Sequence, residues 1–181
     1  AKMIVIDKNL EHLVAQCAIC EKTLFDEFSL KIQLGHTYYE PKSLPASASI
    51  VYGSHPAPST FFLEPKEIQQ NLVLKSGEQV ITCSKHRYKI PLDYFGLVQT
   101  KGTLARLFVQ VTCNDGQVEP GFDGYVTLEI VNMSPWTIEI PAVSDIAQLY
   151  LVKCSTSASE PYHGRYMDAA KKGPTLAVFR K

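Results

Sequence analysis

The sequence predicts a mainly β protein with a helix near its N-terminal end, built as an antiparallel sandwich or a distorted barrel. Three observations support this prediction. Short apolar runs recur roughly every eight to twelve residues, with Gly, Pro, Asn or Ser between them. Several runs alternate apolar and polar residues, as in a sheet with one buried face. With 181 residues the chain is long enough for one sizeable core, which favours a single domain over residues 1–181.

Residues 4–25 carry the helical pattern, because their apolar residues recur at intervals of three and four. Asp7 or Asn9 is the expected N-cap, since both side chains accept hydrogen bonds from free backbone N–H groups. The residues of the apolar stripe are Leu10, Leu13, Val14, Cys17 and Ala18.

The short apolar runs that follow the helix are predicted strands. The segment 42–59, rich in Ser, Ala and Pro, is predicted to be a long surface connection, and residues 155–181 to be a polar C-terminal tail. The predicted strands before the main motif are FSLKIQL, ASIVY, TFFL, NLVL, QVITC, KIPL and LARLFVQV.

The stretch from Glu119 to Val152 reads as three short antiparallel strands separated by turn residues. In its first strand, YVTLEIV, a period of two places Val126, Leu128 and Ile130 on one face. Glu129 lies on the opposite face, within a strand whose other residues are uncharged. It is either a functional carboxylate or a solvated strand residue, since lone acidic residues are usually exposed.

Composition excludes several classes of function. Eighteen basic and eighteen acidic residues give a pI near 7.1, which argues against a nucleic-acid or anionic-membrane partner. We see no apolar run of membrane-spanning length and no secretion signal, so the cytoplasm is the expected compartment. The five cysteines are an odd number and are expected to be thiols. Cys17 and Cys20 have metal-ligand spacing but lack a second pair, so no zinc site is expected.

Four motifs carry a specific resemblance. TKGTLAR at 100–106 is followed by EPGFDGYVTLE at 119–129, and SDIAQLYL and PYHGRYMDAAKKGPT come later. In this order the motifs resemble those of the dCTP deaminase branch of the dUTPase-like superfamily. The resemblance implies a dUTPase-like distorted β-barrel or jelly roll of short antiparallel strands. It also implies that the tail at 155–181 closes over a bound nucleotide.

The resemblance implies zinc-independent hydrolytic deamination of a cytosine deoxynucleotide, dCTP to dUTP plus ammonia. Glu129 would be the proton shuttle, because one carboxylate can activate water and then protonate the ring and the departing amine. Arg106 would position the water. Two alternatives stay open: a nucleotide-binding paralogue without catalysis, and a dUTP diphosphatase. The second is disfavoured by Glu129 and by the missing Gly-rich C-terminal motif.

The same resemblance implies how the nucleotide is held. Magnesium would bind through the triphosphate, and a homotrimer would share its active sites between chains. Gly102, Lys31 and Gln33 depart from the family pattern, which has Ser, Asp and Arg there, so altered substrate choice is a further expectation. The implied nucleotide-binding residues are Lys101, Gly102, Thr103, Val118, Glu119, Phe122, Gln148, Tyr166, Lys171 and Lys172.

Overall fold

The computed structural model describes residues 3–45, 47–53, 58–113 and 115–178. Ala46 and residues 54–57 of the predicted surface connection lie outside this range, as does Asn114. Three helices are present in the described residues, α1 (Asp7–Cys17), α2 (Gly102–Arg106) and α3 (Met167–Ala170). The strands are β1 (Met3–Ile4), β2 (Phe25–Asp26), β3 (Ser29–Tyr39), β4 (Lys66–Glu67), β5 (Asn71–Leu74), β6 (Gln79–Lys89), β7 (Tyr94–Thr100), β8 (Val109–Gln110), β9 (Gln117–Val118), β10 (Asp123–Asn132), β11 (Ile138–Pro141) and β12 (Asp145–Lys153).

Within the described residues, ten strands form one curled sheet in the order β8-β10-β6-β3-β12-β7-β9, with β1, β2 and β4 attached at its sides. The long strand β3 pairs with β12 through Leu30–Gln33 and with β6 through Leu34–Tyr39. Register shifts occur at the change of partner, and bulges of this kind bend a sheet. The paired strands are antiparallel, so the predicted mainly β, distorted-barrel fold is confirmed.

The core lies inside the curl of the sheet and is closed at one side by α1. Leu10, Leu13 and Val14 of the predicted helical stripe are buried there, whereas Cys17 is half-buried and Ala18 is exposed. Along β10 burial alternates residue by residue, with Val126, Leu128 and Ile130 buried. The period-two interpretation of this strand is therefore confirmed, and its other face is left for the site.

Several local predictions were wrong. Helix α1 is shorter than residues 4–25, and neither Asp7 nor Asn9 caps it, because Ile6 is at the N-cap and no side chain bonds there. The segment LARLFVQV is helical in its first half, since α2 ends at Arg106 and strand pairing resumes at Val109. TFFL lies in a 3-10 turn with an isolated bridge, and ASIVY forms no strand in its described residues.

The three strands between Glu119 and Val152 exist but do not pair with one another. β10 pairs with β6 and β8, β11 pairs with β5 in a separate two-stranded sheet, and β12 pairs with β3 and β7. The described residues of the connection at 42–53 are exposed, as predicted. In the part of the chain that the structure covers, no helix has the length and apolar character needed to cross a membrane.

Candidate functional site

A cavity of about 460 Å³ lies on the polar face of β10. Its floor is formed by Tyr125, Thr127 and Glu129, which alternate with the buried residues of the same strand. The segment leading into β10 supplies one wall and the C-terminal tail the other. The wall residues considered below are Asp115, Gly116, Val118, Glu119, Phe122, Tyr162, Tyr166 and Thr175.

Glu129 is half-buried, and its Oε2 atom is shielded from solvent. The backbone of this residue is fixed on both sides, since it lies directly opposite Ile81 of β6 and its carbonyl accepts a hydrogen bond of 3.2 Å from the N–H of Cys113. These contacts fix the backbone, and the burial of Oε2 places the carboxylate itself against the protein. The carboxylate is thus held at the floor of the cavity.

The wall that precedes β10 carries a second carboxylate and an aromatic ring. Burial raises the pKa of Glu119, a backbone hydrogen bond partly offsets this, and the charge of Asp115 raises it further. Phe122 is buried, and its ring centroid lies 6.3 Å from that of Tyr162 at an angle of 45°. This tilted arrangement is a favourable geometry for aromatic pairs. Because Tyr162 belongs to the C-terminal tail, this ring contact connects the wall to the tail.

The tail is docked on β10 by hydrogen bonds. The Tyr162 N–H donates to the carbonyl of Pro120 at 2.9 Å, and the Thr175 N–H donates to Oγ1 of Thr127 at 3.1 Å. The two threonine hydroxyls are also 2.9 Å apart. At Gly124 a Cβ atom would lie 2.9 Å from the carbonyl oxygen of Ala170, so glycine permits this close approach. Tail and strand therefore form one pocket.

The sequence-predicted site residues fall into two groups. Val118, Glu119, Phe122, Glu129 and Tyr166 line the cavity. The others do not line it in the described residues, and most of them lie on or beside α2, where no residue is buried. The residues of this second group are Lys101, Gly102, Thr103, Arg106, Gln148, Lys171 and Lys172.

In the α2 turn, the side chain of Arg106 folds back over Gly102, where a Cβ atom would lie 2.8 Å from Nη1 of the guanidinium. Thr103 is exposed beside it. Lys101 precedes the turn, and its Nζ lies 3.5 Å from Oδ2 of Asp145. Gln148, on β12, donates from Nε2 to Oγ of Ser29 at 3.1 Å. These groups form a separate polar surface rather than part of the Glu129 cavity in one chain.

Gln33, one of the departures from the family pattern, supports this second surface. Its Nε2 donates to Oδ1 of Asp145 at 3.0 Å, and its Oε1 lies 3.2 Å from Nε2 of His86. Asp145 also faces Lys101, which is a predicted phosphate ligand. Gln33 therefore helps to fix the carboxylate that lies beside Lys101. The backbone carbonyl of Lys31 accepts a hydrogen bond of 2.5 Å from the Tyr88 hydroxyl.

Two lysines of the tail are exposed near the cavity. Lys171 lies 3.3 Å from Asp168, and the exposed fractions of 46% and 97% make this a weak surface pair. Lys172 is exposed beside it. Both side chains can therefore turn toward an anionic ligand at small cost. Tyr166 already faces the cavity, and its hydroxyl accepts a 3.3 Å hydrogen bond from the N–H of Val178.

The five cysteines are all free thiols. Burial raises the pKa of Cys83 to about 12, and burial together with the charge of Glu21 raises that of Cys20 to about 12. Thiols with raised pKa values are poor nucleophiles and poor ligands. Within the described ranges, no group of three or more His, Cys, Asp or Glu residues is arranged to hold a metal ion.

Sequence reasoning missed several residues of the cavity. Thr127 and Tyr125 were on the correct face of the strand, so their alternation with Leu128 was the available signal. Thr175 and Ile81 carried no such signal. Their place depends on how the tail docks and on the β10–β6 register, neither of which a single sequence fixes.

Comparison with known proteins shows the family to which this fold and cavity belong. Residues 4–154 match the family model described as dCTP deaminase-like, and the chain belongs to this family. The cavity on β10 lies where the matched segment meets the tail.

Two relatives illustrate the similarity. The chain is 32% identical over 119 residues to the dUMP-forming dCTP deaminase of Mycolicibacterium gilvum, which covers 64% of this chain and 62% of the relative. It is 32% identical over 112 residues to the dUMP-forming dCTP deaminase of Halobacterium salinarum, covering 60% of this chain and 56% of the relative. The chain thus matches about three fifths of the length of these curated relatives.

A solved structure shares the fold. The crystal structure of 2'-deoxycytidine 5'-triphosphate deaminase from Agrobacterium tumefaciens matches with a TM-score of 0.62 at 18% identity. The match covers 84% of this chain and 48% of that one. At this level of identity the match supports a shared fold and nothing further.

Proposed function

We propose that this protein hydrolyses the 4-amino group of a cytosine deoxynucleotide, most simply dCTP, without zinc. The observation that carries this proposal is Glu129, a half-buried carboxylate held at the floor of a nucleotide-sized cavity. Cavities of about 300–1,000 Å³ are typical of small-molecule sites. Family membership gives the substrate class, because the family is described as dCTP deaminase-like.

Glu129 would act as general base and then as general acid. It takes a proton from water as the oxygen adds to C4 of cytosine, and it delivers that proton to N3. Glu129 then takes the remaining proton from the new hydroxyl on C4 and delivers it to the amino group, the C4–N4 bond breaks as the C4=O bond forms, and ammonia leaves. Overall, dCTP and water give dUTP and ammonia. One carboxylate that accepts and returns protons is sufficient for this sequence.

The remaining cavity residues would orient the nucleotide. The sugar would lie against Phe122, with the 3′-hydroxyl donating to the carboxylate of Glu119. Tyr166, Lys171 and Lys172 would face the phosphates, since charged donors make strong hydrogen bonds to anionic oxygen. Mg²⁺ would bind through the phosphate oxygens and keep several waters, as this ion commonly does.

A homotrimer would complete the site. Arg106, Lys101 and Gln148 lie outside the Glu129 cavity of their own chain among the described residues. Arg106 is exposed at the end of α2, and Lys101 directly precedes this helix. In a ring of three copies, the α2 surface of one chain would face the Glu129 cavity of the next. Closed cyclic symmetry gives every chain the same pair of contacts.

A second candidate concerns the product. The two relatives named above are dUMP-forming, which favours a further step in which water cleaves dUTP to dUMP and pyrophosphate. A non-catalytic paralogue is the remaining alternative, favoured by Gly102 in place of the family's Ser. It would bind dCTP and release no ammonia.

The decisive experiment incubates the pure protein with dCTP, dCDP, dCMP, CTP and dUTP. Ammonia and the nucleotide products are then followed, with and without a magnesium chelator. We expect ammonia from dCTP, with weaker nucleotide binding after chelation. A dUTP product supports simple deamination, and dUMP with pyrophosphate supports the second candidate. Pyrophosphate from dUTP without ammonia from any cytosine nucleotide would instead identify a diphosphatase.

A further inference from the structure

A second, smaller hollow lies beside the Glu129 cavity. It measures about 220 Å³ and shares two lining residues, Glu129 and Ile81, with the larger cavity. The two spaces therefore meet at this pair of residues.

The register of the sheet explains why these residues separate two spaces. Glu129 on β10 lies directly opposite Ile81 on β6, and cross-strand partners point to the same face of a sheet. On one side of this pair Thr127 forms the floor of the nucleotide cavity. On the other side Val131, opposite Gln79, forms the floor of the hollow. The pair is a low ridge between two adjoining depressions on one sheet face.

The walls of the hollow are mainly hydrocarbon. Pro41 and Phe62 are bridged to each other and stand along one side, and Cys113 closes another. Gln79 is the polar side chain of the lining besides Glu129. A space of this composition takes an apolar group in preference to a charged one.

The chemistry of the proposed reaction limits what can reach this hollow. C4 of the pyrimidine must lie at Glu129, and its ring neighbours are N3 and C5. N3 receives a proton during the reaction and needs a polar partner. C5 takes no part in proton transfer, so the group it carries needs no polar partner. With the sugar in the large cavity, a substituent on C5 can therefore extend past Glu129 and Ile81 into the hollow.

We propose that the hollow beside Glu129 receives an apolar substituent on C5 of the base, so that 5-alkylated cytosine deoxynucleotides are substrates. This inference rests on the proposed function. For the methyl compound the reaction is 5-methyl-dCTP plus water to dTTP plus ammonia, with the same C4–N4 bond broken. Nothing is oxidised or reduced, and no further reactant is needed.

The amino group is the other candidate for this space, because it also projects from C4. Ammonia and its conjugate acid are strongly hydrated, and an apolar hollow solvates them poorly. A hydrocarbon group on C5 gains from burial there, whereas the leaving amine does not. N4-methyl-dCTP therefore distinguishes the two assignments.

The test compares kcat/KM for dCTP, 5-methyl-dCTP, 5-carboxy-dCTP and N4-methyl-dCTP. We expect 5-methyl-dCTP to exceed dCTP by about fourfold, the factor for burying one methylene-sized group. The 5-carboxy compound should be rejected because its charge would enter an apolar space. A ratio of 5-methyl-dCTP to dCTP below one, or preference for the N4-methyl compound, overturns the inference while deamination of dCTP stands.

Filling the hollow supplies the structural control. Val131→Phe should lower the ratio of 5-methyl-dCTP to dCTP to below one, and Cys113→Leu, from another wall, should act in the same direction. Val73→Phe, at an exposed position of β5, is the matched control and should leave the ratio unchanged. Thermal melting shows whether each variant folds. An unchanged ratio in both filled variants would contradict the assignment of the hollow.

Failure of the proposed function remains distinguishable. If no cytosine nucleotide releases ammonia, the deaminase proposal fails, and the hollow is tested by calorimetric binding of dCTP and 5-methyl-dCTP. Tighter binding of the methyl compound that is lost in Val131→Phe supports the hollow as a binding feature. Equal binding of the two nucleotides overturns it.

Discussion

The guanidinium of Arg106 lies over Gly102, so close that a Cβ atom at residue 102 would be 2.8 Å from Nη1. Real side chains do not approach to this distance, and Arg106 must move if residue 102 gains one. The arginine side chain is flexible, so the fold tolerates the change. The glycine therefore affects the site through the position of the arginine.

Gly102→Ala should lower kcat/KM through this displacement. Arg106→Ala should cost about 10²-fold, as expected when one charged donor at a reacting centre is lost. The double variant should be no worse than Arg106→Ala, because residues that act through one another are not additive. Steady-state kinetics on the four proteins measures this cycle. Fully additive losses would show that Gly102 acts independently of Arg106.

Glu129→Gln should lower kcat by about 10⁴-fold or more, the upper end of the range for a positioned acid–base group, because the proton acceptor is lost while the shape is kept. Binding should persist, so KM should change little. The matched control is Glu139→Gln, since Glu139 is exposed on β11 and accepts a hydrogen bond from Asn71 at 2.8 Å. Equal, small effects of the two substitutions on ammonia release would remove Glu129 from the mechanism.

Co-expression tests whether one site is shared between chains. Glu129→Gln and Arg106→Ala should each keep about 1% of wild-type activity or less when made separately. Equal co-expression of the two variants should recover about a quarter of wild-type activity, because a site is intact only when one chain supplies Glu129 and its neighbour supplies Arg106. Light scattering should give the mass of a trimer. If co-expression restores no activity, Glu129 and Arg106 of different chains do not form a common active site.

Thr175→Val should loosen the tail from β10, since it removes the hydroxyl that lies 2.9 Å from that of Thr127. We expect KM for the nucleotide to rise about fivefold, the effect of losing one ordinary hydrogen bond, with kcat little changed. Thr156→Val, at an exposed tail position, is the control. A fall in kcat with unchanged KM would instead give the hydroxyl a role in the chemical step.

Glu119 should make stability depend on pH in a defined direction. Burial raises its pKa in the folded state, so its charged form opposes folding at pH values above that pKa. This cost disappears as the pH falls below the pKa of the unfolded chain. Glu119→Gln should therefore raise Tm at pH 7–8, with a difference that narrows toward pH 4. A difference independent of pH would mean that the carboxyl is not the cause.

The sequence predicted those parts of the fold that depend on local pattern. The alternation through Val126, Leu128 and Ile130 determined which side of β10 is buried, and this was confirmed. The local pattern did not predict which strands pair, because β10 and β11 are neighbours in sequence and belong to different sheets. The predicted strand LARLFVQV included residues 104–106 of the helical turn at Gly102–Arg106, because the apolar residues of this turn are too few to show a helical period.

The residues of the candidate site were also predicted only in part. The motif at 119–129 gave Glu119, Phe122 and Glu129, which line one cavity. The motif at 100–106 gave residues that lie outside this cavity in the described chain, because a motif does not fix where its residues lie relative to a distant strand. The hollow beyond Ile81 depends on the register of two strands distant in sequence.

The alternation of side chains along β10 also bears on how such a protein can evolve. Leu128 and Ile130 are fully buried, so a mutation at either one disturbs the core, while Thr127 and Val131 line the two cavities on the opposite side. Under the proposed function, mutations at Thr127 or Val131 can therefore change nucleotide recognition without altering the core. A lineage that keeps Glu129 can then acquire a new nucleotide preference by single steps, each passing through a stable protein.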